Sequence, residues 1–121
     1  MKRLIMLLFS LTVLAGCGTP SGGGQAAPDH LKSRASASAK VHTELAGMYY
    51  ERAQLGIALG EIDLALQADR DYAPAYSMRG LINMELREDK EAEEDFKQSL
   101  RLDKSDSQTH NNYGWFLCQR G

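Results

Sequence analysis

The side chains able to do chemistry are few: two cysteines, Cys17 and Cys118, and three histidines, His30, His42 and His110. A thiolate is a nucleophile and a soft metal ligand, and an imidazole is a general base or a ligand, so each is tested by its neighbours in the sequence. No Cys/His spacing suited to a metal, no Gly-rich phosphate loop and no nucleophile elbow is found. Cys118 therefore reads as a small packing or groove-lining residue rather than a reactive thiol. The expectation is a chain with no catalytic residue, no metal site, no cofactor and no small-molecule substrate. Cys17 stands apart, because it directly follows Leu14-Ala15-Gly16 at the end of an apolar run.

The elements before Cys17 explain its setting. Lys2 and Arg3 precede an apolar stretch over residues 4–15, the layout of a secretory signal peptide. Twelve residues fall short of the ~20 that cross a bilayer as an ordinary helix. Leu14-Ala15-Gly16-Cys17 resembles the bacterial lipobox, with small residues that suit a tight protease site and a cysteine sulfur that takes the acyl chain. The resemblance implies a signal peptide over residues 1–16 and lipidation, palmitate included, at Cys17. Two or more acyl chains, at ~0.8 kcal/mol per buried CH₂, then anchor the chain to a membrane without any protein span. In Gram-negative lipoproteins an Asp after the cysteine favours inner-membrane retention; Gly18 stands there, which implies an outer-membrane location facing the periplasm. Removal of residues 1–16 leaves 12 basic against 16 acidic side chains, a net charge of −4. No basic stripe remains for nucleic acid. With Cys17 acylated, Cys118 has no partner in the chain, and a disulfide framework is excluded.

Residues 17–39 are dominated by Gly, Ser, Ala and Pro, with Leu31 the only large apolar residue. Such a stretch buries too little to order itself and is expected to be a flexible tether, spanning roughly 25 Å. Residues 40–121 differ. Apolar and small residues recur there at helical spacing, and helices are predicted over residues 40–53, 57–69, 74–86, 89–102 and 107–120. Pro74 suits a helix start, and Asp106 and Ser107 are candidate caps of the last helix. In the fourth helix Glu88, Asp89, Glu91, Glu93 and Glu94 crowd the beginning and Lys97, Arg101 and Lys104 the end, which complements the helix dipole. The run reads as a solvated face. The fold class is all-α.

Comparison of the chain with itself finds a 34-residue offset: Ala46, Gly80 and Gly114 coincide, as do Ala58 with Ala92, Ile62 with Phe96, Ala65 with Ser99, Leu66 with Leu100 and Asp69 with Asp103. His42, Tyr76 and His110 share the place of a large residue near each first-helix start. A small residue in mid-helix lets a second helix approach closely, and Ala92, Phe96, Ser99 and Leu100 form one buried stripe. This period and pattern resemble the tetratricopeptide repeat, a helix-turn-helix unit. They imply an α-solenoid of about two and a half hairpins, packed through Ala46, Ala58, Gly80, Ala92, Phe96 and Gly114. Each hairpin is half exposed alone, so neighbours must stack. His42 and His110 then lie two repeats apart, too far to share a metal at helix spacings of ~8–10 Å. The sequence departs from the repeat at Arg79, where Leu is usual, and at Lys104, where Pro is usual. Its last first-type helix, with Tyr113, Trp115, Phe116 and Leu117, has no second helix after it. The expectation is a domain truncated at the C-terminus.

The repeat resemblance implies a concave face that recognises an extended peptide or a partner helix. It would include Thr43, Tyr50, Ser77, Leu81, Met84, Asn111, Trp115 and Cys118, with Trp115 as a candidate hot spot. The segment Asn111-Asn112-Tyr113-Gly114-Trp115-Phe116-Leu117-Cys118, with Asp71-Tyr72-Ala73-Pro74-Ala75-Tyr76 and the Leu-Ala-Gly-Cys start, is similar to the PilF/PilW family of type IV pilus biogenesis and stability lipoproteins. Members of that family are pilotins, which carry the pilus secretin to the outer membrane and assist its multimerisation. The resemblance implies a secretin as partner, a lipid-anchored scaffold as function and no enzyme. Another periplasmic repeat lipoprotein, such as a tight-adherence pilus assembly factor or a scaffold for envelope enzymes, fits the same organisation.

Overall fold

A computed structural model of the chain describes residues 26–121. The signal peptide, Cys17 and the first part of the tether lie outside the described residues. Five helices follow one another: α1 (Ala26–Glu51), α2 (Leu55–Ala68), α3 (Ala73–Glu85), α4 (Asp89–Leu102) and α5 (Ser107–Arg120). α1 pairs with α2 and α3 with α4 as antiparallel hairpins, while α3 also touches α1 and α5. The described residues are an all-α solenoid of stacked hairpins. Four helix starts fall within two residues of those predicted from spacing.

The fifth differs. α1 begins at Ala26, so residues 26–39 are helical rather than part of a flexible tether. Forming a first helical turn is the costly step, and adding residues to an existing helix gains a hydrogen bond for each. The packed part of α1 supplies that nucleus, and Ala35, Ala37 and Ala39 extend it at little entropic cost. Ala39 is fully buried. Leu31, by contrast, is 65% exposed, so the first turns of α1 project from the core.

The 34-residue period extends to individual hydrogen bonds. At the end of α1, Ala53 N–H donates to the Tyr50 carbonyl and Gln54 N–H to the Tyr49 carbonyl. At the end of α3, Arg87 donates to Met84 and Glu88 to Asn83. Both are Schellman turns, and the left-handed residue in each is Ala53 (φ 57°) or Arg87 (φ 65°) rather than glycine. After the second helices, Asp69 Oδ1 accepts from Asp71 N–H and Asp103 Oδ1 from Ser105 N–H, each at 3.0 Å. The Ser105 hydrogen bonds hold the Asp103 carboxyl below its ordinary range. Tyr76 Oη donates to the Arg70 carbonyl and His110 Nε2 to the Lys104 carbonyl, both at 2.9 Å. Pro74 lies in the first turn of α3, and Asp106 caps α5 by accepting from Gln108 and Thr109 N–H groups.

Two apolar clusters hold the stack. The first joins Ala39 and Ala46 of α1, Ala58, Ile62 and Ala65 of α2, and Ala75 and Ile82 of α3. The second joins Met84 of α3, Ala92 and Phe96 of α4, and Phe116 of α5. Phe96 is its centre, with ring centroids 5.8 Å from both Tyr113 and Phe116.

Candidate functional site

Because first helices touch first helices, α1, α3 and the start of α5 lie side by side, and a groove of 370 Å³ runs across them. α1 contributes Lys40, Thr43, Glu44 and Gly47; α3 and the residue before it contribute Tyr72, Ala73, Pro74, Ser77, Met78 and Leu81. Asp103, Asp106, Gln108 and Asn112 close the far side. The lining repeats with the hairpins: Lys40, Pro74 and Gln108 are equivalent, as are Glu44, Met78 and Asn112, and Gly47 and Leu81. Within each helix the spacing of three and four residues, as in Lys40, Glu44 and Gly47 or Pro74, Met78 and Leu81, puts these positions on one face.

The lining mixes apolar and polar side chains, with Thr43 and Ser77 among its most buried members. Met78, Leu81, Pro74 and Tyr72 present carbon surface, while Glu44, Asp103 and Asp106 outnumber Lys40 in charge. Burial, then the charges of Glu44 and Asp69, push the Tyr72 hydroxyl pKa up, so the phenol stays protonated as a donor. Thr43 is unavailable as a donor, its hydroxyl being spent on the Ala39 carbonyl at 2.8 Å. Lys40 and Glu44 face each other loosely at 3.9 Å, and both side chains are 65% exposed. A groove lined by both carbon surface and polar groups suits an extended peptide, whose side chains and backbone can each find a matching surface.

Of the residues singled out from sequence, Thr43, Ser77 and Leu81 line the groove. Tyr50 does not; it packs on the first cluster, and its hydroxyl reaches Glu85 at 3.3 Å. Its pKa is raised by burial and then by the Glu85 charge and hydrogen bond. Met84 is 3% exposed and belongs to the second cluster, so it is a packing residue, not a contact for a partner. Asn111, Trp115 and Cys118 are exposed and lie outside the groove lining, although Asn111 is one period on from Ser77 and Trp115 one period on from Leu81; Gln108 and Asn112 supply the α5 side of the groove. Ala46, Ala58, Gly80, Ala92 and Phe96 are buried; Gly114 is exposed, and among the described residues nothing lies within 4 Å of a Cβ placed on it. Sequence reasoning missed Lys40, Glu44, Tyr72, Met78, Gln108 and Asn112. The 34-residue offset could have found them, by asking which positions of the first helices fall between the two buried stripes.

Two polar clamps across the hairpins also escaped notice. Arg79, at the place where the repeat usually has Leu, holds Asp95 through Nε and Nη2 at 2.7–3.1 Å, and Asn83 Nδ2 donates to the same carboxylate at 3.0 Å. The bond to Asp95 raises the Arg79 pKa against the burial that lowers it. One repeat earlier, His42 Nδ1 lies 2.7 Å from Glu61. These are structural ties between a first and a second helix. Among the described residues no group of three or more His, Cys, Asp or Glu side chains is placed to hold a metal ion, and no helix is long and apolar enough to cross a membrane.

Residues 73–106 match the tetratricopeptide repeat model, so the matched unit is α3, α4 and the turn that follows. The chain is also similar to RNA polymerase II-associated protein 3 of Xenopus laevis, 30% identical over 74 residues. The aligned part is 61% of this chain and 11% of that relative. The chain thus carries a tetratricopeptide repeat within a helical solenoid, an architecture whose use is protein interaction.

Proposed function

We propose that this chain is a lipid-anchored periplasmic scaffold that receives an extended segment of a type IV pilus secretin in the groove across α1, α3 and α5, and helps the secretin reach the outer membrane and multimerise. The observation that carries the binding role is the groove itself, which offers the apolar side chains of Met78 and Leu81 among polar neighbours. The partner rests on the likeness of the Asn111-to-Cys118 segment and of the Leu14-Ala15-Gly16-Cys17 start to the PilF/PilW pilotins. In this reading Cys17 carries the acyl chains and the solenoid carries the cargo. Anchoring and recognition are then separable.

Two variants test that separation in cells that make the secretin. Cys17→Ala leaves a folded domain that no longer sediments with membranes, and secretin multimers are lost with it. Asn112→Phe, placed at the groove edge, leaves the protein in the outer membrane and abolishes secretin co-purification. Normal secretin rings in the Cys17→Ala strain sink the delivery role. Undiminished co-purification with Asn112→Phe sinks the groove, and enrichment of a tight-adherence assembly factor or an envelope enzyme in place of the secretin replaces the partner.

A further inference from the structure

We infer that the first hairpin lies on an anionic phospholipid surface through the outer face of α1 and α2, so that protein side chains, and not acyl chains alone, meet the membrane. This face is separate from the groove and independent of the secretin. It takes from the proposed function only that Cys17 brings the chain to a membrane.

The two hairpins differ at this face. In the second, Arg79 and Asn83 of α3 and Glu91, Glu94 and Asp95 of α4 line one hollow. One period earlier the same places hold Leu45 and Tyr49 of α1 and Ile57, Gly60 and Glu61 of α2. Charge has given way to carbon. The exposure of α2 here does not come from a missing neighbour, because Glu91 and Glu94 are exposed although a hairpin precedes theirs. Ile57 is 50% and Leu64 44% exposed, at the places of Glu91 and Gln98. On α1, Arg34, Ser38, Val41, Leu45, Met48 and Arg52 succeed one another at steps of four and three, which keeps them on one side of the helix. Val41 is 54% and Met48 48% exposed, whereas their equivalents on α3, Ala75 and Ile82, are buried against the first hairpin. The His42 bond to Glu61, at 2.7 Å, sets the two rows side by side.

Charge and reach choose the occupant. Arg34 and Arg52 bracket the stripe, both exposed and in no ion pair among the described residues. Glu61, the acid at the centre, is held by His42. A positive face on a chain whose formal net charge is −2 calls for an anionic partner. A second copy is disfavoured on the same ground, because two such faces bring arginines together with no free acid opposite. Apolar side chains between arginines suit a bilayer interface, where the arginine stems lie along carbon while the guanidinium groups reach phosphate. Cys17 stands nine residues before Ala26, and nine extended residues span at most ~30 Å. An acylated Cys17 therefore holds this hairpin, before any other part of the solenoid, within reach of the lipid. Residues 17–25 carry no large apolar side chain to cover the face in its place.

The test uses the full chain, made in cells with its own signal peptide and reconstituted in vesicles of phosphatidylethanolamine and phosphatidylglycerol with brominated acyl chains. Trp115 is the chain's sole tryptophan, so Trp115→Phe clears the background for one reporter, Ile57→Trp in one protein and Glu91→Trp in another. The tryptophan at 57 should be shifted to the blue and quenched by bromine, and the one at 91 should not. Adding Arg34→Glu and Arg52→Glu, or replacing phosphatidylglycerol by phosphatidylcholine, should lower the docked population at 57 by more than about ten-fold. The charge variant keeps the fold, because neither arginine has an ion-pair partner to lose among the described residues, and unchanged circular dichroism checks this. No quenching at 57, equal quenching at 57 and 91, or quenching indifferent to both charge changes overturns the proposal. So does a blue shift at 57 without bromine quenching, accompanied by dimers in sedimentation, which makes a second copy the occupant. Mass spectrometry of residue 17 reports the anchor by itself: an unmodified Cys17 sinks the acylation, and quenching at 57 still decides the contact.

Discussion

The two hairpins solve one packing problem with different residues. In the first, Ala46 and Ile62 meet in a cluster of small side chains, with Ala39, Ala58, Ala65 and Ala75 around them. In the second, Gly80 gives up its side chain altogether, and Phe96 fills the space and reaches on to Tyr113 and Phe116. What the first helix yields in volume, the second helix takes up. Interiors are packed as densely as organic crystals, so the combined volume of the pair is constrained more tightly than either identity. The polar ties differ in the same graded way. His42 and Glu61 keep side-chain exposures of 29% and 20%, whereas Asp95 is at 7% under the Arg79 fork. The second hairpin has staked more on fewer contacts.

The largest effect follows from that concentration. Phe96→Ala should cost about 3–5 kcal/mol and Ile62→Ala about 2–4 kcal/mol, since both open a cavity but only the first also loses ring contacts with Tyr113 and Phe116. Urea denaturation of the two variants checks the order, and a larger loss for Ile62→Ala breaks the contrast. Next is the buried carboxylate. Asp95→Ala strands Arg79 and Asn83 and should cost about 2–3 kcal/mol, less than a fully buried pair because the Arg79 side chain keeps 31% exposure. Glu61→Ala, at a wetter pair, should cost about 1 kcal/mol or less.

Gly80→Ala sharpens the volume argument. Its methyl meets the Phe96 ring at 2.8 Å, so overpacking should cost about 1–3 kcal/mol even though alanine is the better helix former. Adding Phe96→Ile restores the pairing found in the first hairpin and should recover a good part of that loss. A double-mutant cycle measures the coupling. Additive effects would mean that the two positions do not share one space.

Much of this arrangement was legible in the sequence because it recurs. The period located the hairpins, and Pro74 and Asp106 marked two helix starts by their own chemistry. The reading of residues 26–39 as a tether failed because it asked only what the segment could bury, and a helix already nucleated by its packed half extends without burial. Met84 and Cys118 were misplaced for a related reason. Equivalent positions have equivalent surroundings only where a following helix exists, and it does for Met84 but not, among the described residues, for Cys118. The Arg79 clamp was read as a departure from a pattern, when its meaning lay sixteen residues away at Asp95. The groove was legible in part: Ser77 and Leu81 were found on α3, but the α5 contribution was assigned to Asn111 and Trp115, one position or more from Gln108 and Asn112.

The smallest effect tests whether the two hairpins remain alike where their cores differ. Ala53 and Arg87 both occupy the left-handed region, at φ 57° and 65°, in turns with the same pair of hydrogen bonds. A side chain there costs about 1–2 kcal/mol relative to glycine, partly offset by the greater freedom glycine has in the unfolded chain. Ala53→Gly and Arg87→Gly should therefore each stabilise the protein by about 0.5–1 kcal/mol. The measurement is the shift in denaturation midpoint at unchanged slope. Equal gains would mean that turn geometry is set by the repeat and is indifferent to the cores on either side. A gain at one turn and a loss at the other would tie backbone conformation to the local packing, and the likeness of the hairpins would stop at their hydrogen bonds.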